Sequence, residues 1–213
     1  MEFVKGIAAV FVQGGLMMYP LVVCSFLVMA VIIERWLYFR SVAKLDSNLV
    51  AEVVLKLKQG EWKEAVERCA KSKDILASML VQGMSEPTCD RQQLEQSLEG
   101  AAARLVGKLR YRLDLLDTIV TLAPLLGLLG TVTGMIQTFN VLNIKNGQPL
   151  AITGGIGEAL LATATGLCVA VLALVGHSYF NHRIDRIINA LEDAANEIVK
   201  TALYKRMSRH EVQ

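Results

Sequence analysis

The sequence predicts an all-α integral membrane protein with three transmembrane helices, two of which continue into long cytoplasmic helices. Three observations lead there: where charge is missing, where the basic residues lie, and how small residues recur inside the uncharged stretches. Of 213 residues 53% are hydrophobic, with a mean hydropathy of +0.41. The 20% charged fraction is ordinary for a soluble protein, but the charges are segregated. Gly6 to Ile33, Thr118 to Ile144 and Ala159 to His182, runs of 28, 27 and 24 residues, hold no Asp, Glu, Lys or Arg. The other 134 residues carry every charge, at a density of about 31%. A soluble core is interrupted by charge every turn or two, whereas runs this long cross a hydrocarbon layer of roughly 30 Å at about 1.5 Å per residue. A soluble globular enzyme is thereby excluded.

Basic residues set the threading. Lys5 precedes the first span and Lys145 lies between the second and third, while the remaining 20 of the 22 fall at or beyond Arg35 on one face. By the positive-inside rule that face is cytoplasmic, with the N-terminus outside and the C-terminus inside. The first span is not read as a cleaved signal peptide: the run is too long, Glu2 offsets Lys5, and Arg35, Arg40 and Lys44 hold its far end inside. A net charge of +2 gives no reason to expect a nucleic-acid partner.

The elements follow in order. Residues 1–15 are apolar but interrupted by Gly14 and Gly15, and read as an outer interfacial segment. The first transmembrane helix covers 16–38, with Tyr19 at the outer boundary and Trp36 and Tyr38 at the inner one. Residues 39–117 form a cytoplasmic helical region. In it Leu49, Val53, Val54 and Leu57, then Trp62, Val66, Cys69 and Ala70, recur at helical spacing on either side of Gly60. An apolar patch from Ile75 to Met84 ends at Pro87, and Asp90 is placed to cap a helix through Leu94, Leu98, Ala102, Leu105, Leu109 and Leu113. No breaker follows before Pro124, so this helix is expected to run directly into the second transmembrane helix, 118–142. Residues 143–154 make a periplasmic turn with Asn-Gly and Pro149, and 155–180 the third transmembrane helix. Its helix continues through the cytoplasmic C-terminal segment 181–213, where Ile184, Ile187, Ile188, Leu191, Ala194, Ala195, Ile198 and Leu203 form an apolar stripe. Such stripes need a partner surface, either each other or a neighbouring subunit.

In the second span Pro124, Gly127, Thr131, Gly134 and Thr138 share one face, with Gly130 beside it. In the third, Ala159, Ala162, Thr163, Gly166, Ala170 and Ala173 do the same. Small residues at this spacing let membrane helices approach closely, so both faces are expected to pack in an assembly. The hydroxyls admit two readings. Each can bond a carbonyl one turn back, or Thr131, Thr163 and Thr165, near the centres of their spans, can line a narrow polar path. Glu158 lies on a face with Ala162 and Thr165, about 10 Å outside the midplane at 1.5 Å per residue. It is either a functional carboxylate or one that reaches outer water. No Asp, Lys, Arg or His sits at the midplane, and hydroxyls do not store a proton at ordinary pH. A proton path therefore needs a titratable group from another chain.

Catalytic and metal chemistry find little support. Cys24, Cys69, Cys89 and Cys168 show no C-x-x-C or Cys/His spacing, so no metal or cofactor is expected. Ser25, Ser178, His177 and His182 form no nucleophile and base pair at depth.

The run from Ala123-Pro124 through Gly127, Gly130-Thr131 to Gly134, followed by Gly155-Ile-Gly-Glu158 and Ala162-Thr163-Ala-Thr165-Gly166, closely resembles the two signatures of the MotA/TolQ/ExbB proton-channel family. Length and three spans resemble its ExbB and TolQ branch. The resemblance implies a bacterial inner-membrane ring, a homopentamer, around the single membrane helices of two ExbD- or TolR-like partners whose Asp supplies the missing midplane charge. It implies that proton flow drives a motor which, in the ExbB branch, energises a TonB-like protein for outer-membrane transport of iron chelates and cobalamins. By position Thr131 and Thr163 match the family's pore threonines and Glu158 its outer glutamate, whereas Thr165 is less regular. Threonines without a carboxylate cluster favour protons over sodium ions. A TolQ-like subunit of the Tol-Pal envelope-constriction system, or a structural scaffold with inert threonines, are the alternatives.

Overall fold

In the computed structural model, residues 15–42, 47–72, 74–84, 91–144 and 149–210 are described. Among them are seven helices and no strand: α1 (Met18–Val42), α2 (Ser47–Gln59), α3 (Trp62–Ala70), α4 (Ile75–Gly83), α5 (Arg91–Arg110), α6 (Leu113–Ile144) and α7 (Pro149–His210). Three stretches are long and apolar enough to cross a membrane: Met18–Ser41, Leu113–Asn140 and Thr153–Thr201. The segment before Gly15 and the cap expected at Asp90 lie outside the described residues, as does Cys89. The connection between α6 and α7 is shorter than the turn expected at 143–154, because α6 runs to Ile144 and α7 starts at Pro149. Proline suits that first helical turn, where its missing N–H costs nothing.

The described residues fall into two compact units. One holds those up to Glu34 together with Arg112–Tyr179; the other holds Arg35–Tyr111 and those from Phe180 onwards. Helix α7 contributes to both, its 62 residues about three times the span of a hydrocarbon core.

In the first unit each span buries one narrow stripe. On α1 it is Met18, Leu21, Cys24, Val28 and Val31; on α6, Leu113, Leu116, Ile119 and Ala123; on α7, Ala159, Ala162, Val169, Ala170 and Ala173. On α1 and α6 the steps are of three and four residues, and on α7 the buried Gly166 fills the gap between Ala162 and the adjacent Val169 and Ala170, so each set lies on one helix face. Phe26, Leu125, Leu128, Ile136, Leu160 and Val175 point outward and are more than half exposed. That is the inverse of a soluble protein's surface, and suits lipid or neighbouring subunits.

The second unit has a conventional core. Leu49, Val53 and Leu57 of α2, Ala65 and Cys69 of α3, most of α4, and Leu94, Leu98, Leu105 and Leu109 of α5 are buried. Asp74 caps α4 by accepting from the Leu76 N–H at 3.1 Å, and the Trp62 indole N–H donates to the Met84 carbonyl at 3.2 Å. Gly83 lets α4 approach α5, since a Cβ there would lie 3.0 Å from the Cα of Leu98. Phe39 stacks on Phe180 with ring centroids 5.6 Å apart. The stripe Ile184, Ile187, Leu191, Ala194 and Ile198 is buried here, so it finds its partner surface within the chain.

The structure corrects one expectation. The second span does not continue unbroken from the helix before it: α5 ends at Arg110, and Arg112 takes the left-handed conformation, φ 68°. The terminal carbonyls of α5 are taken up locally, Leu109 O by the Arg35 guanidinium at 3.5 Å and Gly107 O by the Tyr111 N–H at 3.1 Å. Arg112 in turn pairs with Glu34. A left-handed residue of this kind ends a helix without Gly or Pro, which is why the break has no sequence signature.

Candidate functional site: the α6–α7 pair

The small-residue faces of α6 and α7 pack against each other within one chain. A Cβ added to Gly134 would lie 3.0 Å from that of Ala159, and one on Gly130 2.6 Å from that of Ala162. At Gly127 it would lie 3.0 Å from the Cα of Thr163, and at Gly166 2.6 Å from the Ala123 carbonyl oxygen. At Gly166 backbone meets backbone with no room for a methyl group, at Gly130 a methyl group would collide with the Ala162 side chain, and at Gly127 and Gly134 the fit is tight. Pro124 lies inside α6, one turn before Gly127, and Ala170 continues the buried α7 face. Gly155 packs on the buried Thr138, whose hydroxyl donates to Gly134 O at 2.8 Å.

Two of the three candidate threonines spend their hydroxyls on their own helix: Thr131 donates to Leu128 O at 2.7 Å and Thr165 to Leu161 O at 2.8 Å. Thr163 differs, donating across the pair from α7 to Gly127 O of α6 at 2.9 Å. In a regular helix that same oxygen also accepts the N–H of Thr131, four residues on. One carbonyl is therefore shared by the side chain of one candidate threonine and the backbone of the other. Such interhelical bonds in membranes are worth about 0.6 kcal/mol on average.

Register fixes relative depth. With Gly130 opposite Ala162 and Gly134 opposite Ala159, Thr131 and Thr163 lie within about 3 Å of the same level, and Glu158 about 7–8 Å from the Thr163 level towards the α6–α7 connection, at 1.5 Å per residue. Glu158 is half-buried, and its carboxylate rests against Gly15, ahead of α1. Sequence reasoning did not connect Gly15 with Glu158. The Gly14-Gly15 pair was visible, but the contact joins residues 143 positions apart.

The site offers hydroxyls, carbonyls and one carboxylate. Each threonine oxygen that donates its proton keeps lone pairs able to accept another, so the row can orient water or relay a proton. Among the described residues no group of three His, Cys, Asp or Glu could hold a metal ion.

Comparison with known proteins covers the same two signatures. The profile of the family described as MotA/TolQ/ExbB proton channel family matches residues 71–193, which include both signatures. A putative biopolymer transport protein ExbB-like 1 of Synechocystis sp. is 38% identical over 174 residues, 78% of this chain and 66% of that relative. A second from the same organism, ExbB-like 3, is 30% identical over 189 residues, 87% of this chain and 90% of the relative. The Tol-Pal system protein TolQ of Pseudomonas aeruginosa is 32% identical over 113 residues, 53% of this chain and 49% of that protein.

Proposed function

The chain belongs to the MotA/TolQ/ExbB proton channel family, and on that premise we propose that it is the channel subunit of a membrane motor that turns proton motive force into mechanical work for TonB-dependent transport. The observation that carries this reading is the depth match of Thr131 and Thr163 on a tightly packed helix pair, uncharged over 118–144 and 159–182, with Glu158 just beyond the uncharged run. A hydroxyl row conducts but does not store protons, so the cycle needs a carboxylate from a second protein. That partner is an ExbD- or TolR-like protein with one span and an Asp within it, two copies seated in a ring of five of these chains. The outward apolar faces supply the ring contacts. The complex lies in the bacterial inner membrane, with the N-terminus periplasmic and the C-terminus cytoplasmic.

The energetics fit. A charge crossing 100 mV releases about 2.3 kcal/mol, so each proton drives a small step and work accumulates over several. A TolQ-like role in envelope constriction is the second reading, favoured by the similarity to TolQ over 53% of the chain.

The test is transport with Thr131→Val and Thr163→Val, which keep shape and remove the hydroxyls. Each variant assembles, and proton-driven uptake falls at least tenfold. Assembly with undiminished uptake in both leaves only the scaffold reading. Co-purification of a single-span protein with a membrane Asp supports the motor, and growth complementation of uptake-deficient against constriction-deficient cells separates the two branches.

A further inference from the structure

Gly15 is the residue at the head of α1 that the channel reading leaves unused. Its backbone is left-handed, φ 68°, and its carbonyl accepts the Met18 N–H at 3.2 Å, closing the turn that starts α1. The following residues lie against α6, since a Cβ on Gly130 would be 3.4 Å from that of Met17. Gly15 itself lies against α7: any side chain there would run into the carboxylate of Glu158. Glycine is thus required twice at one position, for its φ and for its space.

We propose that Gly15 is a positioning residue for Glu158, forming the seat that holds the outer carboxylate back against the start of α1 instead of letting it extend into outer water. Two facts converge: Glu158 is half-buried, and its carboxylate occupies the volume a Cβ on Gly15 would fill. The outer carboxylate is then placed by α1 as well as by its own helix. Its consequence for transport rests on the proton-channel reading; the seat itself does not.

The probe is dicyclohexylcarbodiimide, which reacts with carboxyl groups in apolar surroundings, applied to the full chain in membranes with modification of residue 158 read by mass spectrometry. Gly15→Ala and Gly15→Asn both fill the seat, and Asn tolerates the left-handed backbone. Labelling falls at least fivefold in both. In a Glu158→Asp background the carboxylate is one methylene shorter, and adding Gly15→Ala changes labelling less than twofold. Unchanged labelling in the single variants, or an equal loss in both backgrounds, overturns the proposal. If Gly15→Ala does not accumulate, recovery in the Glu158→Asp background supports the seat, and failure of both chains to accumulate overturns it. Glu158→Gln separates the two readings: undiminished proton uptake there refutes the carboxylate's transport role and leaves the labelling result standing.

Discussion

A threonine in a membrane helix ordinarily bonds its own backbone, and Thr131, Thr138 and Thr165 do so. Thr163 departs because Gly127 brings the α6 backbone within reach. The residue types and their faces are legible in the sequence; which carbonyl each hydroxyl chooses is not, because it depends on the register of two helices. Cys69 illustrates a simpler effect of surroundings. Buried in the second unit, its thiol is pushed up from 9.0 to about 11 by loss of water, with the nearby Arg68 charge only partly opposing. Since the thiolate is the nucleophile, alkylation of Cys69 by iodoacetamide at pH 8 is expected to be about a hundredfold slower than that of an unshifted thiol. Peptide mass spectrometry against unfolded chain measures it, and equal rates contradict the burial.

Among the elements, the three apolar helices were legible because a bilayer leaves a coarse mark: long stretches without charge. The end of α5 was not, because Arg112 adopts a conformation that only its setting selects. A left-handed L-residue costs roughly 1–2 kcal/mol, a cost that Gly does not carry. Arg112→Gly and Arg112→Ile both lose the exposed pair with Glu34, itself worth up to about 1 kcal/mol. The Ile variant is therefore expected to be less stable than the Gly variant by about 1–2 kcal/mol, seen as a lower thermal midpoint of the detergent-solubilised chain. Equal midpoints contradict a strained break. The Glu158 contact with Gly15 was illegible for a related reason, since a glycine pair ahead of a span does not say which distant side chain fills the space it leaves.

For the whole molecule, the segregation of charge separates two kinds of stability: apolar surroundings for the spans, and ordinary aqueous electrostatics for the rest. Lys56 shows the second kind, bonding Glu64 at 2.6 Å and Glu61 at 3.5 Å. The hydrogen bond from Lys56 holds the Glu64 carboxyl below its ordinary 4.5, and the bond to Glu64 holds the Lys56 ammonium above 10.5. A lowered carboxyl contributes stability above its ordinary value and loses it as pH falls through the folded value; a raised ammonium contributes below its ordinary value and loses it as pH rises through the folded one. Lys56→Met should thus lower stability by a constant amount between about pH 5 and 10. The difference from the parent chain should close at both ends and be smaller throughout at high salt than at low. Unfolding measured across pH checks this, and a difference persisting at acid pH means that the loss is one of packing. The proposed ring would depend on the angle between outward faces, which composition and spacing do not encode.

The oxygen of Gly127 has a consequence in time. Because a backbone N–H and a side-chain hydroxyl both point at it, Thr163 can rotate away and return while the α6 ladder stays closed. Breaking that link takes a side-chain rotation, an event of picoseconds to nanoseconds where space allows, instead of the unwinding of a helix. The hydroxyl that links the two helices is thereby both held and quickly released.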